Sequence, residues 1–99
     1  MIISLTGGSQ NQRDQWDDLL DAILERAAQD YAMHLRHAKR TFLRDGEVPS
    51  WVMGEIWRDE GFFRSPWYHA LCDLDGEYLI RRIKDFVLGE KLEERMGIK

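Results

Sequence analysis

QRDQWDDLLDAILERAAQDYAMHLRHAKRTFLRDG, residues 12–46, reads as one long amphipathic helix. Residues advance by about 100° along an α-helix, and on that wheel Trp16, Leu20, Ile23, Leu24, Ala27, Tyr31, Leu35, Ala38 and Phe42 fall on one apolar stripe about 100° wide. The helix is predicted from Gln12 to about Arg44. Asp45-Gly46 stops it, because glycine takes the left-handed conformation of a helix end without a Cβ penalty. A helix this long with one apolar face sets the fold class: all-α, a small bundle of about four helices.

Downstream, Pro49 suits the first turn of a second helix, predicted from about Pro49 to Phe63. It is apolar on two sides, with Val52, Ile56 and Phe63 on one and Met53 and Trp57 on the other. Gly54 and Gly61 weaken it by roughly 1 kcal/mol each relative to alanine, so packing has to hold it. Ser65-Pro66 is a helix start, serine as N-cap and proline in the first turn, for a short third helix from Pro66 to about Cys72. Asp75 is the next N-cap, and Glu77 places negative charge at the positive end of the dipole of a fourth helix, Gly76 to Met96. There Leu79, Ile80, Ile83, Phe86 and Val87 share one face, but Leu88, Leu92 and Met96 line another. The stripe shifts near Gly89, where the helix either bends or turns its end to a different contact.

Upstream, Gly7-Gly8-Ser9-Gln10 separates Met1–Leu5 from the helix. Residues 1–10 are expected to be a flexible tail, and residues 11–99 one helical domain. With 43% hydrophobic and 32% charged residues, the chain belongs with folded globular proteins and not with the disordered class. A single cysteine, Cys72, excludes an internal disulfide framework and fits a reducing compartment. No stretch approaches the ~20 apolar residues of a membrane span, and Met1–Leu5 is too short for a signal-peptide core, so the cytoplasm is the expected location and no membrane partner is expected.

A net charge of −4 argues against a chain held to nucleic acid by its overall field. A local basic stripe remains, formed by Arg36, Lys39, Arg40 and Arg44 with His37 beside them; Arg81, Arg82 and Lys84 form a shorter second cluster. Such runs on helices are usually solvated faces. His34 with His37, and His69 with Cys72, each lie three residues apart on one helical face, as metal ligands do, but neither pair matches a zinc pattern. The simpler reading is a hydrogen-bonded His34 at the edge of the core stripe, with Asp30 able to orient it, and no metal or cofactor. No glycine-framed nucleophile is present, and the carboxylate pairs are those of solvated faces and helix caps. The chain is therefore read as non-enzymatic.

The aromatic residues carry more information. Four tryptophans, four phenylalanines and three tyrosines exceed the needs of so small a core, and they cluster between Trp51 and Tyr68. Exposed Trp and Tyr mark binding anchors. The expected partner-binding set is Trp51, Met53, Trp57, Phe62, Trp67 and Tyr68, with Leu88, Leu92 and Met96 as a further contact that supports self-association. Within the set, Trp57 and Met53 are expected outward, and Trp51 faces inward with Phe63.

The segment from Phe62-Phe63-Arg64-Ser65-Pro66-Trp67-Tyr68 through Leu74-Asp75-Gly76-Glu77-Tyr78-Leu79-Ile80 resembles small helical proteins of bacteriophages and prophages, in which this pattern follows a long charged helix. Pro66 departs from the acidic residue that follows the serine there. No activity attaches to that family, so the resemblance implies a setting and carries over no site residues. Proteins of that setting act by stoichiometric binding to a host factor, including inhibition of a defence factor such as a CRISPR nuclease. The alternatives are a nucleic-acid-binding accessory protein on the basic stripe, and an oligomer that sequesters a signalling nucleotide between subunits.

Overall fold

The computed structural model describes residues 9–98, with side chains described from Asp17 onward. They form five helices: α1 Ser9–Asp45, α2 Ser50–Phe63, α3 Pro66–Leu71, α4 Gly76–Val87 and α5 Glu90–Met96. No strand occurs among the described residues, so the fold is all-α with a long first helix. The expected tail falls mainly on residues 1–8, outside the described residues; its last two, Ser9 and Gln10, open α1.

The sequence sets most of these boundaries through local chemistry. Gly46, at φ +84°, ends α1 with its N–H on the Phe42 carbonyl at 2.7 Å. The Ser65 hydroxyl accepts the Tyr68 N–H at 3.1 Å, with Pro66 following in the first turn of α3. Asp75 accepts the Glu77 N–H at 3.1 Å at the start of α4. Pro49 sits just outside α2, its carbonyl taking the N–H groups of Val52 and Met53.

The expected fourth helix is two helices. Gly89, at φ +83°, interrupts the ladder between α4 and α5 and redirects the chain, so the last turns fold back instead of running on. The shift of stripe at Leu88, Leu92 and Met96 is this break.

The core is built by Tyr31, Leu35 and Ala38 of α1, Val52, Ile56 and Phe63 of α2, Tyr68 of α3, and Ile80, Val87 and Leu88 around the end of α4. Cross-contacts run antiparallel between α1 and α2: Tyr31 meets Phe63, His34 meets Asp59, and His37 meets Trp51. Glycine is obligatory at Gly76, where a Cβ would lie 2.0 Å from the Phe63 carbonyl oxygen. This close approach locks the start of α4 onto the end of α2.

The molecule measures 57 × 21 × 20 Å. A 37-residue helix is about 55 Å long and a 14-residue helix about 21 Å, so α1 outruns everything packed on it. The α1 side chains that join or pack on the core begin at Leu24. Before that point the stripe runs beyond the core: Leu20 and Ile23 are half-buried and belong neither to the core nor to the side chains packed on it, and Leu19, at the edge of the stripe, is 51% exposed. Trp16, which the stripe included, lies outside the described side chains.

Candidate protein-binding surfaces

The core face of α2 is taken by Val52, Ile56, Glu60 and Phe63. Trp51 and Trp57 each sit one residue from this row and are turned away from it by about 100°. Trp51 is 62% exposed and Trp57 64%. Trp57 is outward as expected; Trp51, expected inward, is a correction. Its indole stands edge-on to His37 at 5.3 Å, a surface contact with α1. Between them, Gly54 and Gly61 have nothing of the other described elements within 4 Å of the Cβ position. Trp67, on α3, is 57% exposed with its ring centre 6.0 Å from that of Phe62, which is half-buried against the core; Met53, expected outward, is likewise half-buried there, a second correction.

Two of the expected surface anchors, Tyr68 and Leu88, are buried, and two more, Leu92 and Met96, are partly so. Tyr68 is fully buried, ringed by Phe62 and Phe63, with its hydroxyl donating to the Leu74 carbonyl at 2.9 Å. Burial pushes its phenol up to about 12. Leu88 is buried, and Leu92 and Met96 pack partly buried on the core, because the turn at Gly89 brings α5 back onto it. Conversely Phe86, assigned to the inner face of α4, is 83% exposed. It lies at the edge of the row formed by Ile80, Ile83 and Val87, and α4 is covered along the centre of that row.

The basic stripe is divided in the same way. Arg36 and Arg40 are exposed, but Lys39 turns inward and donates to the Val87 carbonyl at 3.3 Å, and Arg44 is clamped by Asp45 at 3.0 and 3.1 Å. In the second cluster Lys84 is also drawn in, donating to the Ile98 carbonyl at 3.0 Å and lying 3.4 Å from Glu60. The continuous basic face needed to neutralise a phosphate backbone is thus reduced to scattered arginines.

Of the paired histidines and cysteine, His34 bonds through Nδ1 to Asp59 at 2.5 Å, with Glu55 4.0 Å from its other ring nitrogen. The orienting acid is Asp59 of α2 and not Asp30. Burial raises the Asp59 carboxyl above its ordinary value, more than His34 lowers it. Cys72 accepts the Leu74 N–H at 3.4 Å. Among the described residues no three His, Cys, Asp or Glu side chains gather as metal ligands would.

The sequence reading missed one polar centre. Glu60, 6% exposed, accepts the Tyr31 hydroxyl at 2.6 Å and faces Arg64 at 3.3 Å and Lys84 at 3.4 Å. Arg64 in turn grips Glu77. Burial, and then the Glu60 bond, push the Tyr31 phenol well above its ordinary range, so it stays a donor. The signal was present: Glu60 continues the row of Val52 and Ile56 at four-residue spacing. Beside this network a cleft of about 380 Å³ lies between the end of α2 and the α4–α5 turn, lined by Arg64, Glu77, Lys84, Asp85 and Glu90 among others.

No helix among the described residues is long and apolar enough to cross a membrane. Compared with protein-family models, curated proteins and solved structures, the chain matches none.

Proposed function

We propose that this chain is a non-enzymatic protein-binding module that occupies a partner's surface stoichiometrically, with the uncovered first part of α1 as its docking arm. One observation carries the reading: among the described residues the apolar stripe of α1 runs on past the core, with Leu20 and Ile23 on the stripe and the exposed Leu19 at its edge outside the set of side chains that build or pack on that core. An amphipathic helix in that state is suited to lie in an apolar groove of another protein.

Charge specifies the groove. Residues 17–30 hold five carboxylates (Asp17, Asp18, Asp21, Glu25, Asp30) against Arg26 alone, which is the whole of the net charge of −4; the other thirteen acids and thirteen bases cancel. A basic rim on the partner would steer the arm in, since the helix is only about 10 Å across and the field reaches about 8–10 Å at physiological salt. Basic apolar grooves are where nucleic-acid-handling proteins receive their ligands. In the bacteriophage setting that the sequence resembles, the partner is a host protein of this kind, and inhibition of a defence nuclease is the specific form proposed.

The test is the solution mass of the purified chain alone and after incubation with host lysate, run in parallel with the L20E/I23E double variant. A partner present at fixed stoichiometry with the natural chain, absent with the variant and displaced by nucleic acid supports the reading. The same partner bound by both chains, no complex at all, or turnover of a substrate would sink it.

A further inference from the structure

We propose that α2 pairs with α2 of a second copy, antiparallel, about a two-fold axis passing between Trp57 and Arg58. This surface is separate from the α1 arm and stands or falls apart from it. The starting point is Gly54 and Gly61, seven residues apart and therefore nearly in line on the outer side of the helix. Among the described residues neither has a neighbour within 4 Å of its Cβ position beyond the adjoining residues and backbone of its own helix, so no packing contact described requires glycine there, although both lower the propensity of the helix that carries them. Two glycines along one line let a second backbone approach closely.

The side chains around that line identify the second backbone as another α2. Trp51, Glu55, Arg58 and Phe62, at spacings of four, three and four, share one flank of the glycine line. A two-fold axis between Trp57 and Arg58 sets Gly54 level with Gly61 of the other copy. On the flank it brings Trp51 within about 3 Å, along the axis, of Phe62 of the other copy, and Glu55 equally close to Arg58. On the opposite flank Trp57 meets Trp57. Aromatic therefore faces aromatic, acid faces base and glycine faces glycine, in both directions at once. A two-fold interface requires this self-complementarity, and a foreign helix requires none of it. The side chains stand ready: Trp51 and Trp57 are exposed, the Arg58 side chain is 76% exposed, and its bond to Glu55 at 3.2 Å holds both charges on the flank where the crossed pairs would form.

Sedimentation equilibrium of the full chain over micromolar to near-millimolar concentration tests the proposal. The natural chain should approach twice its 11.7 kDa. The G54Q/G61Q variant should weaken the dimer by about 100-fold or more. Measured dilute, where both chains are monomers, that variant should melt at higher temperature, because glutamine is the better helix former and has room, so loss of the dimer is not loss of the fold. E55R should weaken the dimer by about threefold to tenfold, and E55R/R58E should restore it. A chain that stays at 11.7 kDa throughout, a dimer that G54Q/G61Q leaves intact, or one abolished by L20E/I23E overturns the proposal. Because L20E/I23E tests the arm and G54Q/G61Q tests α2, failure of either surface is read independently of the other.

Discussion

Tyr31 and Glu60, 29 residues apart, meet at 2.6 Å in the centre of the bundle, the phenol donating to a carboxylate that also faces Lys84 and Arg64. A buried carboxylate is tolerated only when paired, so the cost of losing a member depends on what is left behind. Tyr31→Phe leaves Glu60 with two cations and should cost about 1–3 kcal/mol. Glu60→Leu strands the phenol and leaves Lys84, itself largely buried, with the Ile98 carbonyl but without the carboxylate beside it, and should cost about 3–5 kcal/mol. Urea denaturation of both variants and their double checks the coupling, and a double variant equal to the sum of the singles would show that the bond contributes nothing of its own.

Glycine substitutions should divide by sign. Gly76→Ala forces a Cβ against the Phe63 carbonyl and should destabilise by at least about 2 kcal/mol. Gly54→Ala and Gly61→Ala meet open space and should each stabilise the monomer by about 0.5–1 kcal/mol. Thermal melts at low concentration measure all three; a stable Gly76→Ala would mean that α4 does not start against α2 as described.

What was legible in the sequence follows the range of the interaction that fixes each feature. Ser65-Pro66, Asp75 with Glu77, and Asp45-Gly46 act on their own or adjacent turns, and each appears in the structure where the residues put it. Gly89 was visible only as a shift of stripe, because a glycine permits a positive φ without requiring one, and the return of α5 to the core decides it. Periodicity gave the apolar face of α1 but not how much of it is covered, which depends on the lengths of α2 and α4. Tyr68 was misread for the same reason. An aromatic pair such as Trp67-Tyr68 points in two directions, and only the packing of Phe62 and Phe63 settles which ring goes inside.

Two carboxylates should give opposite pH dependences. Arg64 holds Glu77 below its ordinary 4.5, so Glu77 contributes stability that is present above that value and is lost as pH falls through the lowered one. Asp59 is raised above its ordinary 3.8, chiefly by burial, so its contribution is present below 3.8 and is lost as pH rises through the raised value. Relative to the natural chain, Glu77→Gln should therefore lose its disadvantage on acidification. Asp59→Asn should gain ground as pH rises from about 3.8 through the raised value. Denaturation midpoints across that range decide it; slopes of the same sign in the two variants would contradict the assigned environments.

The α1 arm should be separable from the body by energetics alone. Leu35 is fully buried between α1 and its neighbours, and Leu35→Ala should cost about 2–5 kcal/mol through lost burial and the cavity left behind. Leu20 and Ile23 lie on the same helix and the same stripe but beyond the packed region, so L20E/I23E should change global stability by no more than about 0.5 kcal/mol per site. Hydrogen exchange gives the matching local signature. Amides of residues 17–23 should exchange through fraying, far faster than those of Tyr31 to Ala38, which should open only with the whole molecule. Bound to a partner through the arm, the first set should slow towards the second. An arm already as protected as the body in the isolated chain would mean that its apolar stripe is covered after all, and the docking role would have no surface to act through.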